Sequence, residues 1–303
     1  MMVRFGCTRK LLTAFLDCSS LCLGMSEYQY YEFQTVDHRL TQQQMQELRA
    51  YSTRARITPT SFVNEYHFGD FKGNPDAWME KYFDGYLYFA NWGTRELQLA
   101  VPEKWLKLET VRRYCSTRSV SARKKSGKHI LTFLLDEEPD GDGLDDEGNL
   151  STLLQIRNEL AQGDFRGLYL GWLLGVQAGE VDAAEVEPPV PPNLGDLSAA
   201  QESFAVFFHL DPNLLAGAAS HSPGTAPELP NRKEAASWIK SLPPLEKDEI
   251  LVRLVACEET KIGMDLRARF RRLRNASRTT SSLKPRTVRE LLAAAETPRA
   301  KRV

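Results

Sequence analysis

The chain has 303 residues, of which 42% are hydrophobic and 26% are charged, and its formal net charge is -1. This composition is typical of a globular protein that is long enough for two domains. A net charge so close to zero argues against a whole-chain affinity for nucleic acid or anionic membranes. The five cysteines are scattered, fit neither a disulfide framework nor a zinc site, and favour a reducing, cytoplasmic compartment.

Residues 1–24 place three basic residues before an apolar run, which superficially resembles a signal peptide. Asp17 interrupts the run, and no small-residue cleavage site follows it. We therefore expect translation to begin at Met25, with residues 1–24 as upstream or disordered sequence. The longest apolar run elsewhere, over residues 168–176, is too short to span a bilayer, so we expect no membrane partner.

Short strands and helices alternate between residues 25 and 135. Strand-forming residues and hairpin turns predict strands over 30–36, 57–68, 86–90, 97–101, 119–122 and 129–135. Helical spacing and polar cap residues predict helices that begin at Thr41 and after Asn74, and a short helix over 106–114. This order predicts an α+β domain with a mixed sheet and covering helices.

The second half of the chain has a helical pattern. Residues 136–149 are an acidic linker, with eight acidic residues and no basic residue over 136–147. Helices are predicted over 151–161 and 197–210, from Asp164 and from Asp211, on both sides of Pro243 and Pro244, and over 283–295. We expect an all-α helical-hairpin domain with Pro-rich loops over 150–275, and a basic tail or helix over 276–303.

Five stretches carry a resemblance to a known group of proteins. They are MSEYQYYEF at 25–33, YHFGDFKG at 66–73, ANWGTR at 90–95, GDFRGLYLGW at 163–172 and EPPVPP at 187–192. Together they resemble an uncharacterised family of bacterial hypothetical proteins. The resemblance covers most of residues 25–260 and implies a start at Met25 and a bacterial, cytoplasmic protein. It implies no activity.

The densest group of reactive side chains is Glu65, His67, Asp70 and Lys72, at the end of a predicted strand. The Asp-x-Lys triplet is similar to half of a metal-dependent nuclease signature, in which a carboxylate holds Mg²⁺ while a lysine steadies the phosphate. Such a site needs a second acid from a neighbouring strand, and Glu32 and Asp37 are the candidates. The alternative is structural: strand residues alternate between two faces, and Asp70 and Lys72 belong to a turn.

Sixteen of the 29 aromatic residues lie between Tyr28 and Trp92. An aromatic sheet face can stack unpaired bases, but the strands here carry few interleaved arginines and lysines. A core of large rings, or a protein interface, explains the same residues without a nucleic-acid ligand. Trp92, at the tip of a predicted hairpin, is the ring that we expect to be an exposed anchor.

Charge is distributed unevenly along the chain. Residues 136–202 contain sixteen acids and two bases, whereas residues 250–303 contain fourteen bases and five acids. Five arginines on one predicted helix could bind phosphates, could pair with the acidic middle of this chain or with a partner protein, or could belong to a solvated tail. These arginines are Arg267, Arg269, Arg271, Arg272 and Arg274.

No cofactor or metal motif stands out, and the chain shows no nucleophile motif around its serines and cysteines. The first hypothesis is therefore a non-enzymatic protein-interaction module. The second is a nucleic-acid-associated protein that uses the Arg-rich helix. The third is a metal-dependent enzyme with its site near residues 65–72.

Overall fold

A computed structural model of the chain describes residues 27–136, 148–223, 232–255 and 284–300, together with residues 262, 263, 266, 269 and 270. For residues 297–300 it describes the backbone alone. The predicted upstream segment 1–24, most of the acidic linker and residues 271–283 of the basic region lie outside the described residues.

The described strands form one antiparallel sheet in the order β2-β3-β1-β4-β5-β7-β6. The prediction of a mixed sheet was wrong, because every described pair of neighbouring strands is antiparallel. The strands are β1 (Gln29–Gln34), β2 (Arg56–Thr58), β3 (Ser61–Tyr66), β4 (Gly85–Ala90), β5 (Thr94–Pro102), β6 (Val120–Lys125) and β7 (Lys128–Asp136).

The helices of the first half explain how an α+β sequence order gives an antiparallel sheet. They are α1 (Gln42–Arg49), α2 (Pro75–Lys81) and α3 (Leu108–Tyr114). Helix α2 connects β3 to β4, which lie on either side of β1, and α3 connects β5 to β6, which lie on either side of β7. Strands joined by a helix are therefore parallel but not adjacent, and the strand between them runs in the opposite direction.

Of two local predictions, a helix cap at Thr41 and a single strand over 57–68, one is confirmed and the other is wrong. The Thr41 cap is confirmed, because its hydroxyl accepts a hydrogen bond from the Gln44 backbone while the Gln44 side chain bonds back to the Thr41 backbone. The single strand predicted over residues 57–68 was wrong, because the chain turns at Pro59 and Thr60 and the two halves pair as β2 and β3. Proline has no N–H to donate, which favours a turn at that point.

The described helices of the second half are α4 (Leu150–Leu153), α5 (Gln155–Ala161), α6 (Arg166–Gln177), α7 (Ala199–Phe207), α8 (Pro212–Ala219), α9 (Arg232–Ser241), α10 (Pro244–Val255) and α11 (Val288–Ala300). The predicted start at Asp211 is confirmed, since its carboxylate accepts the Asn213 backbone N–H at 2.8 Å and Pro212 follows it. The helices predicted around Pro243 are confirmed as α9 and α10.

We call the face of the sheet that α1 and α2 cover the front face. Its centre is aromatic: Phe33 stacks on Tyr86 with ring centroids 4.5 Å apart, and Trp78 of α2 lies 4.9 Å from Phe62. Leu48 of α1 completes this core and is fully buried. The aromatic residues between Tyr28 and Trp92 thus largely fill a core, as the structural alternative predicted.

The back face of the sheet packs against helices of the second half. Leu97, Leu99 and Phe133 share one core with residues of α4 to α8 and of α11. Gly171 allows α6 to come close, since a Cβ atom there would lie 2.5 Å from the Phe133 ring. The separate all-α C-terminal domain is not confirmed, because these helices are the cover that an apolar sheet face requires.

The described part of the C-terminal region is joined to this core by a buried ion pair. The guanidinium of Arg286 donates to both carboxylate oxygens of Glu187 at 2.7 Å, and the Tyr169 hydroxyl donates to the same carboxylate. Val288 and Leu291 of α11 are buried beyond it. Residues 284–296 are therefore part of the folded core and not a solvated tail.

A second buried cation, Arg157 of α5, connects the helical half to the sheet. Its Nε donates to the Ala100 carbonyl of β5 at 2.5 Å, and its two terminal nitrogens donate to the two carboxylate oxygens of Asp37. Its guanidinium also lies 4.9 Å from the centre of the Trp105 ring. Burial lowers the pKa of Arg157, and the nearby Asp84 carboxylate opposes that change.

Asp84, which is fully buried just before β4, holds the neighbouring backbone in place. Its carboxylate accepts the backbone N–H groups of Val36 and Asp37 at 2.8 and 2.9 Å. Lys128 of β7 donates to its other oxygen at 2.8 Å. Residues 36–37, Asp84, Lys128 and Arg157 thus come together from four segments that are distant in sequence. They meet because a charged group that is buried away from water must be paired.

We expect Arg157→Met to lower the free energy of unfolding by about 3–5 kcal/mol, because it breaks an ion pair whose cation is fully buried and leaves the Ala100 carbonyl without its donor. Urea denaturation followed by circular dichroism measures this loss. The matched control is Arg113→Met, since the Arg113 ion pair with Glu109 is exposed on α3 and should contribute less than about 1 kcal/mol. Equal losses in the two variants would contradict a structural role for Arg157.

Candidate interaction surfaces

The four side chains predicted for a nuclease-like site do not converge. Glu65 is exposed on β3, opposite Tyr30, whose ring stacks on Phe89 in the back-face core. Asp70 lies in the loop after β3 and raises the pKa of Tyr31, although burial is the main cause of that rise. Tyr30 and Tyr31 are consecutive strand residues and point to opposite faces. Glu65 and Asp70 therefore lie on opposite sides of the sheet.

The remaining members of that group lie at the surface. His67 packs against Tyr28, with ring centroids 5.4 Å apart, and Lys72 is exposed. Of the two candidate second acids, Glu32 accepts hydrogen bonds from Tyr30 and Gln34, and Asp37 pairs with Arg157. Among the residues that the structure describes, no three His, Cys, Asp or Glu side chains are grouped so that they could hold a metal ion.

A part of the front face beyond α2 is left half-exposed. We call it the front patch and define it by Tyr88, Glu96, Thr132 and Leu134. Tyr88 lies directly opposite Glu96 on β5, and Glu96 lies opposite Leu134 on β7. Residues opposed in this way have neighbouring side chains on one face. The front patch thus places a carboxylate between an aromatic ring and an aliphatic side chain.

The electrostatics of the front patch are unusual for a sheet surface. Burial raises the pKa of Glu96, and a hydrogen bond from Gln98, at 2.6 Å, partly opposes this rise. The pKa of Tyr88 is raised to about 12, mainly by burial; a hydrogen bond with Tyr31 opposes the rise, and the charges of Glu96, Asp70 and Asp136 add to it. The patch is therefore electronegative and only partly hydrated.

A shallow depression of about 380 Å³ lies between α4, α5 and α7. Its central acid is Glu159, whose carboxylate accepts hydrogen bonds from Ser198 at 2.6 Å and from Gln201 at 2.8 Å. Ser198 is also the N-cap of α7. Burial raises the pKa of Glu159, but both carboxylate oxygens already have partners within the fold. These residues are fully explained by helix packing.

Trp92 lies in the turn between β4 and β5, as predicted, and 41% of its surface is exposed. Phe68, in the loop after β3, is 82% exposed. Gln29 of β1 pairs with Tyr66 on one side and Ala90 on the other. Both exposed rings therefore follow strands that finish at the same end of the sheet. A role for Trp92 as an anchor stays a prediction.

Among the described residues, the largest group of exposed aliphatic side chains is on α10. We call it the α10 surface and define it by Leu245, Leu251, Val252, Leu254 and Val255. Leu245 is 85% exposed and Val255 is 81% exposed, and no described residue of α9 or α10 is buried. Soluble monomers seldom group so many large apolar side chains in water without a binding role.

A small cluster of side chains supports α9 and α10. Leu242, Ile262 and Phe270 are buried, and Trp238 lies 5.3 Å from Phe270 between ring centroids. Each of these residues lies between α8 and α11 in the chain. The α10 surface therefore belongs to an excursion that leaves the main core after α8 and returns to it at α11.

Of the five predicted arginines, Arg269 lies within the described residues, where it forms an ion pair with Glu246 of α10. Glu246 lies outside the acidic middle over 136–202, so this contact is not the predicted pairing; Arg286, which pairs with Glu187, does join the basic region to that middle. The other four, Arg267, Arg271, Arg272 and Arg274, lie outside the described residues.

Sequence reasoning missed both the front patch and the α10 surface, although each left a signal. In α10 the run Ile-Leu-Val-Arg-Leu-Val, over 250–255, is apolar around most of the helix, and a helix that buries one face needs only a stripe. In β4 and β5, strand alternation alone would place Tyr88 and Glu96 on a common face once their pairing was known. The hairpin predicted around Trp92 pairs these strands, but its second strand was predicted to begin at Leu97, one residue after Glu96.

Comparison of the chain with protein-family models, with curated proteins and with solved structures gives no match. The resemblance to a bacterial family therefore stays a prediction. No helix among the described residues combines the length and the apolar character that crossing a bilayer requires.

We expect Glu96→Gln to raise the melting temperature at pH 7. The raised pKa of Glu96 means that the folded state holds its proton at a pH where the unfolded chain, with a pKa near 4.5, has lost it. Its contribution to stability therefore falls as the pH rises through that window, and the ionised carboxylate destabilises the fold at neutral pH. The advantage of glutamine should disappear below a pH of about 4, where Glu96 is protonated in both states.

Calorimetric melts of the wild type and Glu96→Gln at both pH values measure the effect. Glu65→Gln, which changes an exposed carboxylate of β3, is the matched control and should leave the melting temperature nearly unchanged at both. A melting temperature lowered at pH 7 by Glu96→Gln would contradict the buried-carboxylate explanation.

Proposed function

We propose that this chain is a cytoplasmic, non-enzymatic protein-interaction module that binds its partner through the α10 surface. The observation that carries the proposal is the exposure of five large aliphatic side chains on one helix. Burying such side chains against a partner gains about 25 cal/mol for each Å² removed from water. Burying them inside the chain is the usual solution, and no residue that the structure describes buries them.

The charges beside the α10 surface favour a basic partner. Asp248 and Glu249 are exposed on α10 next to the aliphatic side chains. A partner helix with an apolar stripe and flanking lysines or arginines would match both features. The proposed partner is therefore an amphipathic, basic helix of another protein.

The polar interior of the fold supports a binding role over a catalytic one. The buried carboxylates of Asp84 and Glu187 already accept hydrogen bonds from cations of the same chain. Burial raises the pKa of the Cys115 thiol to about 12, which keeps it protonated and weakly nucleophilic. These groups hold the fold together: the two carboxylates are paired within the chain, and the thiol is buried in the core.

The experiment is affinity purification of the tagged full chain from its native host, combined with cross-linking mass spectrometry. We expect cross-links from Lys247, within α10, to one partner protein. Val252→Lys should weaken that complex by at least tenfold, because a lysine in the apolar centre of an interface must be desolvated. The stability of the free chain should change by less than about 0.5 kcal/mol, since Val252 is exposed.

The matched control is Val206→Lys on α7. Val206 is 53% exposed and Val252 is 58% exposed, so the two substitutions introduce the same charge at equally accessible helical positions. If Val206→Lys weakens the complex as much as Val252→Lys does, the α10 surface is not the interface. Retention of the same partner at full strength by Val252→Lys would also overturn the proposal.

A further inference from the structure

The front patch, which no described residue covers, is a second exposed surface and is separate from α10. Helix α2 and Phe71, from the loop after β3, cover the front face as far as Phe33 and Tyr86. The next row of the sheet, from Tyr88 through Glu96 to Leu134, is only half-buried. This row is wide enough for one extended segment of another chain to contact all three strands.

The aromatic part of the patch is held rigidly. The Tyr88 ring lies 4.7 Å from the Tyr31 ring, which in turn stacks on Phe71 at 4.7 Å. The Tyr31 hydroxyl donates to Gln29 at 2.6 Å. Because its neighbours are fixed, Tyr88 would lose little conformational freedom when a ligand packs against its outer side.

The charges around the patch are unevenly compensated. Arg123 forms an ion pair with Asp76 at 2.9 Å, and Arg118 forms one with Asp136 at 3.2 Å. Within the described part of the chain, Glu96 accepts a hydrogen bond from the neutral amide of Gln98 and forms no ion pair. The described bases near the patch are thus paired with other acids. Burial dominates the raised pKa of Glu96, and the charge of Arg123 opposes it only weakly, because Arg123 is bonded to Asp76 and not to Glu96.

We infer that the front patch binds an arginine side chain presented by a basic peptide segment of a partner protein. The guanidinium would donate two hydrogen bonds to Glu96 and lie against the Tyr88 ring, while its aliphatic stem would pack on Leu134. Arginine fits better than lysine, because its flat guanidinium can stack on a ring and bond to a carboxylate at the same time. This inference does not depend on the α10 surface.

The test uses the full chain and a fluorescein-labelled hexa-arginine peptide, with binding measured by fluorescence anisotropy. A salt concentration of about 150 mM limits long-range attraction to about 8 Å. We expect Glu96→Gln to weaken binding about tenfold, the loss typical of a charge-assisted hydrogen-bonded pair. Tyr88→Leu should weaken it about threefold through the loss of stacking. Hexa-lysine should bind more weakly than hexa-arginine to the wild type.

Glu65→Gln is the matched control, because it removes the same charge from an exposed position that faces away from the patch. It should weaken binding less than twofold, and melting curves of each variant should show a folded protein. The acidic stretch over 136–147 also attracts polycations, and both variants retain it. Equal affinities for Glu96→Gln and Glu65→Gln would show that only general charge attraction is at work, and would overturn the inference. Absence of saturable binding to the wild type up to about 1 mM would do the same.

Discussion

The guanidinium of Arg157 joins parts of the molecule that the chain order keeps far apart. It comes from a helix of the second half and contacts the backbone of β5 and the carboxylate of Asp37, which follows β1. A buried cation requires an anion and hydrogen-bond acceptors at fixed positions, since water cannot replace them. The position of α5 on the sheet and the course of the chain after β1 therefore depend on each other.

The same principle applies to the other buried charges. Asp84 holds the backbone after β1 and the lysine that begins β7, and Glu187 holds Arg286 before α11. Each of these groups is satisfied by residues of the same chain, so its chemistry is used in folding. The two surfaces that we propose for binding, the α10 surface and the front patch, lie outside this network of buried charges.

The described helices leave the front patch and the α10 surface uncovered for different geometric reasons. Helix α2 has seven residues and is about 10 Å long, or about two strand spacings, so it cannot cover the whole front of a seven-stranded sheet. Helix α10 belongs to the excursion between α8 and α11, which has its own small cluster around Phe270. The first surface is polar and suits a charged side chain, and the second is aliphatic and suits an apolar one.

Local signals in the sequence determined most of the elements, because caps, turns and strand alternation act within a few residues. Thr41, Asn74 and Asp211 each begin a helix through their own side chains. Contacts across the chain were decided only by the tertiary structure. The antiparallel order of the strands and the packing of the helical half onto the sheet depend on which apolar faces cover each other. Many pairings bury similar apolar area, and the residues that select one of them, such as Arg157 and Asp37, lie 120 positions apart.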